Sequence, residues 1–133
     1  YIFLEKARFL ACAADDPKLL AKLNEILEEQ SSAIFYVKRA EEFIKRNDPC
    51  GAWETADEGV EKYPHYPELL KTRSDAATAA PDFVRWVSAA KNSENRGDPV
   101  SALCAYLQAR KIYPASQNLL KAIEANSRKI MAP

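Results

Sequence analysis

Apolar residues recur three and four positions apart along most of this chain, the spacing that gathers them on one face of a helix. Phe3, Ala7, Leu10 and Ala14 predict a helix over about 2–14, and Leu19, Leu20, Leu23, Ile26 and Leu27 one over about 17–30. Trp53, Ala56, Val60 and Tyr63 do the same for about 49–63. Further helices are expected over about 32–46, capped by Ser31 or Ser32, and over about 67–80, 82–96, 99–113 and 116–131. The breaks come from punctuation. Asp16-Pro17, Asp48-Pro49 and Asp98-Pro99 each join a residue whose carboxylate accepts free first-turn N–H groups to one that has no N–H to orphan. Pro64 and Pro114, each after a tyrosine, read as stops.

A shift of 50 residues brings Asp48-Pro49 onto Asp98-Pro99, Tyr63-Pro64 onto Tyr113-Pro114, and Leu69-Leu70-Lys71 onto Leu119-Leu120-Lys121. Eleven identities fall in register without a gap between residues 34–79 and 84–129, so the repeated unit is three helices. Repetition at this scale marks stacked helical arrays.

Within the second unit the order is Trp86, Ala90, Gly97, Ala102, Tyr106, Ala109 and Pro114; the first has Tyr36, Ala40, Phe43, Asn47, Ala52, Gly59 and Pro64. This aromatic, small, turn, small, aromatic, small, proline order resembles the tetratricopeptide repeat, whose helix pair spans about 34 residues. The resemblance covers 32–64 and 82–114, with 67–80 as an intervening helix, 1–31 as a weakly matching helical hairpin and 116–131 as a cap. It departs from the pattern at Ala56 and Ser93, where aromatics are usual, at Arg39 and Ala89, and in its 50-residue period. It implies an all-α fold: one domain, a right-handed α-solenoid of about eight antiparallel helices. It also implies a concave groove that holds a peptide or a partner helix. The positions facing that groove would be Val37, Glu41, Ile44 and Lys45 from the first unit, with Val87, Lys91, Glu94 and Asn95 from the second. The valines and the few polar groups speak against a terminal-carboxylate clamp and for a mixed apolar and charged groove.

Charge changes the picture by exclusion. Nineteen Lys plus Arg balance nineteen Asp plus Glu, whereas nucleic-acid and anionic-membrane binders need a basic excess. An outward patch of Lys111, Lys121, Arg128 and Lys129 is the one candidate for RNA, and no nucleic-acid partner is expected. No apolar run approaches the roughly 18 residues of a membrane span. Glu54, Asp57, Glu58 and Glu61 form one acidic stripe, read first as a solvated convex face and second as a dock for a basic partner. The seventh helix carries no charge from Pro99 to Ala109 and should be covered on more than one side. The last helix should turn Leu119, Leu120, Ile123 and Ile130 inward.

Candidate chemistry is sparse. His65 is the single histidine, set between Pro64 and Pro67, with no ligand at metal spacing. Gly51, Gly59 and Gly97 are isolated, so no phosphate-cradling loop can form. Cys12, Cys50 and Cys104 fit neither a disulfide framework nor a zinc pattern; they read as small buried thiols and favour a reducing, cytoplasmic setting. Trp53, Trp86 and Tyr106 read as packing residues. No catalytic residue, metal or cofactor is expected. The chain begins at Tyr1 rather than Met, which suggests a piece of a longer protein. The functional expectation is a non-catalytic protein-interaction segment. The alternative is self-association, by end-to-end stacking of the array or by dimerisation through the apolar cluster of the first helix, Tyr1, Ile2, Phe3, Leu4, Phe9 and Leu10.

Overall fold

A computed structural model describes residues 16–132. These are all-helical: α1 Pro17–Lys45, α2 Pro49–Lys62, α3 Pro67–Ala79, α4 Pro81–Asn95, α5 Pro99–Ile112 and α6 Gln117–Met131. The helix expected over 2–14 lies outside the described residues. None of the six is long and apolar enough to cross a membrane.

The Asp-Pro signals work as their chemistry predicts. Asp16 accepts from Lys18 N and Leu19 N, Asp48 from Gly51 N and Asp98 from Ser101 N, each followed by proline in the first helical turn. Ser116 caps α6 by accepting from Leu119 N. The turns before α2 and α5 repeat one geometry. Asn47 and Gly97 have φ of 60° and 73°. Asp48 N and Asp98 N each donate 2.9 Å back to Phe43 O and Ser93 O, while Asn47 N and Gly97 N reach Ile44 O and Glu94 O at 3.0 Å. This paired closure ends a helix on a left-handed residue, and the next aspartate starts another helix at once.

The expected count of eight helices needs correction, because 17–30 and 32–46 are one helix. Ser31 Oγ donates to Leu27 O within α1 instead of capping a new start. With no Gly or Pro between Pro17 and Asp48, nothing interrupts the ladder. A single residue, Ala80, separates α3 from α4; Pro81 cannot extend α3, so the chain turns a corner there.

Sequential helices pack as α1 on α2, α2 on α3, α4 on α5 and α5 on α6. Alanines line the closest seams, with Ala40, Ala52, Ala90 and Ala102 all fully buried. At Gly59 a Cβ would come within 2.9 Å of Tyr36 Cβ and of Leu69 Cδ2, so α1, α2 and α3 meet where no side chain fits. Large side chains join the two halves. Trp53 meets Phe83 edge-on at 6.0 Å, and Phe83 meets Tyr113 at 5.7 Å. Helix starts show a second rhythm: Pro17, Pro49 and Pro81 are 32 positions apart, as are Pro67 and Pro99.

Two expectations about faces also change. On α5, Ala102, Ala105, Tyr106 and Ala109 are buried, but Val100 and Leu107 are 55% and 41% exposed, so one side of this uncharged helix faces water. On α6, Leu119 is buried, Leu120 and Ile123 are partly buried, and Ile130 is exposed, while Asn126 takes an inward position.

Candidate functional site

The acidic stripe of α2 is not wholly a solvated outer face: Glu58 and Glu61 are exposed, but Glu54 and Asp57 are partly buried. It lines a cavity of about 240 Å³ with Trp53, Val87 and Lys91, Tyr106 of α5, and Asn118, Leu119 and Ala122 of α6. The helix places Glu54, Asp57, Glu58 and Glu61 on one side; α4 and α6 supply the wall opposite.

Most of these carboxylates already have partners. Asp57 accepts from Lys91 Nζ at 2.5 Å and from Arg73 at 3.0 Å, so one side chain ties α2 to α4 and α3. Lys91 also reaches Glu61 at 3.4 Å, and its ammonium lies 5.6 Å from the Trp53 ring centroid. Burial pushes the Lys91 pKa down, but the bonds to Asp57 and Glu61 outweigh it and raise it above the ordinary value. Glu54 is partly buried. Burial raises its pKa, although Ser116 Oγ donates to it and opposes that shift. Glu58 and Glu61 remain 49% and 66% exposed on the rim, Glu58 paired to Lys62 at 3.5 Å.

The floor continues into a polar cluster. Tyr106 donates its hydroxyl to Glu94, and Asn126 Nδ2 donates to the other Glu94 oxygen at 3.1 Å and to Ala122 O at 2.8 Å. Burial and the bond to Glu94 push the Tyr106 phenol well above its ordinary pKa. Asn126 Oδ1 is buried with no partner among the described residues.

The sequence-predicted groove residues divide between surfaces. Val87 and Lys91 line this cavity, Val87 as a buried wall residue at 4% exposure. Glu94 is turned to Tyr106 and Asn126, and Asn95 is exposed at the end of α4. Val37 lines a separate cleft of about 90 Å³ with Ala33, Ile34, Tyr66 and Leu69, between α1 and α3. Glu41, Ile44 and Lys45 are exposed on α1. The 50-residue shift relates the two clefts, carrying Val37 and Leu69 of one onto Val87 and Leu119 of the other. The second is wider: α1 and α3 pack directly, whereas α4 and α6 meet through side chains such as Glu94 and Asn126.

Trp53, Tyr106, Asn118 and Leu119 belong to the site and were not foreseen in it. Asn118, Ala122 and Asn126 recur every fourth residue on α6, and that stripe of polar and small positions was the available signal. Trp53 and Tyr106 are buried, as expected of packing residues. Cys50 is buried, but Cys104 is exposed; Cys12 lies outside the described residues. His65 is exposed in the α2–α3 turn. Among the described residues no three His, Cys, Asp or Glu side chains are grouped to hold a metal ion.

No protein-family model, curated protein or solved structure matches this chain.

Proposed function

We propose that this chain is a non-catalytic protein-interaction module, a tetratricopeptide-like right-handed α-solenoid segment that binds a peptide or a partner helix. The observation that carries this reading is the cavity between α2, α4 and α6, where apolar walls (Trp53, Val87, Leu119) face carboxylates on the rim. Such a site takes an apolar anchor side chain beside a lysine or arginine. The anchor contributes burial, and the cation finds Glu58 and Glu61, which are not enclosed. The repeated caps and alanine seams support the array. The balanced charge and the isolated His65 favour a binding role over catalysis.

Selection from a random peptide library on the immobilised protein tests this reading. The selected sequences should pair an aliphatic or aromatic residue with a basic one. Their affinity should fall at least tenfold in Glu58→Lys combined with Asn118→Trp, two exposed positions whose change leaves the core intact. Selected peptides that bind the double variant as well as wild type would refute the groove assignment.

A further inference from the structure

The exposed side of α5 has a charge pattern that fits a second copy of itself. Val100, Ser101, Cys104 and Leu107 face solvent, with Gln108 partly exposed beside them and Lys111 exposed at the C-terminal end. No charge interrupts this face from Pro99 to Ala109, and Cys104, Leu107, Gln108, Arg110 and Lys111 border a shallow depression that runs to Pro114. Asp98 marks the N-terminal end, and Lys111 lies roughly 20 Å away along the axis at helical rise. A partner with a charged surface would find nothing to pair with along the middle of this face.

We propose that two copies of this chain associate through α5, antiparallel about a two-fold axis at Cys104. That arrangement sets Val100 against the partner's Leu107, Ser101 against the partner's Gln108, and Asp98 within reach of the partner's Lys111. A two-fold pairing uses each contact twice, so one complementary set suffices. The helix dipoles run in opposite directions, which adds to the match of charges at the ends. One helix face per copy is a small interface, so the pair forms at high protein concentration and dissociates on dilution.

Sedimentation equilibrium over a concentration series, with mild oxidative cross-linking, tests the pairing. Wild type should self-associate and trap a covalent dimer that Cys104→Ser abolishes. Leu107→Glu should remove both signals at unchanged helicity. With Cys104→Ser in all copies, a mixture of Ser101→Cys and Gln108→Cys chains should cross-link as mixed pairs in preference to like pairs. A monomer at every concentration, association unchanged in Leu107→Glu, or covalent dimers through Cys12 or Cys50 alone would each overturn the proposal. Preferential like pairs would overturn the antiparallel arrangement.

Discussion

The Tyr113 hydroxyl donates to Asp48 at 2.9 Å, across 65 residues of chain. The same aspartate caps α2 through Gly51 N, so the start of α2 and the end of α5 share one carboxylate. Asp48→Ala should cost about 2–3 kcal/mol, a cap plus a hydrogen bond to a charged acceptor. Tyr113→Phe should cost about 1–2 kcal/mol. The two losses should not add; a coupling near zero in a double-mutant cycle of urea unfolding would show the bond to be idle.

Gly59 and Gly97 should respond to alanine for opposite reasons. At Gly59 the new methyl would meet Tyr36 Cβ and Leu69 at 2.9 Å, so Gly59→Ala should cost about 1–3 kcal/mol by overpacking the meeting of α1, α2 and α3. At Gly97 there is open space but φ is +73°, so Gly97→Ala should cost about 1–2 kcal/mol through the backbone alone. Asn at Gly97 should recover most of the loss, and Asn at Gly59 none; chemical denaturation reads both.

Asp57 holds Lys91 and Arg73 at once. Asp57→Ala should destabilise the fold by about 1–3 kcal/mol, because both cations lose a partnered, largely enclosed carboxylate. In that background Lys91→Met should cost less than it does in wild type. Equal costs in both backgrounds would mean that the pair does not join α2 to α4.

Alkaline pH should unfold this protein cooperatively. Burial and hydrogen bonds to Glu94 and Asp48 raise the Tyr106 and Tyr113 phenols above their ordinary 10.0, and Asp57 and Glu61 raise Lys91 above 10.5. A group raised in the fold releases its proton first in the unfolded chain. Its contribution is complete below the unfolded value and is lost as pH climbs past it. Melting temperature should therefore fall above about pH 10, with a shallower slope in Tyr106→Phe. A Tyr106→Phe slope equal to wild type would contradict this account.

Much of the local structure was legible, because its causes are local. Asp16, Asp48 and Asp98 each cap the helix expected of them, and Asn47 and Gly97 both turn left-handed. The break at Ser31 was misread because a serine that caps also bonds backward inside a helix, and its hydroxyl does so here. The acidic stripe was read as outward because spacing shows which residues share a face, not what lies opposite. Its partners, Arg73 and Lys91, come from 16 and 34 positions away. Val87 was placed in an open groove for the same reason; α2 and α6, which wall it in, approach only in the folded chain.

The most direct test of the binding cavity is a methyl and indole NMR titration with a library-selected peptide. Saturable shifts should concentrate on Trp53, Val87 and Leu119, with the Ala33 and Val37 signals of the smaller cleft unmoved. Shifts confined to α1, or peptide binding that leaves Trp53 and Leu119 unchanged, would contradict the assignment.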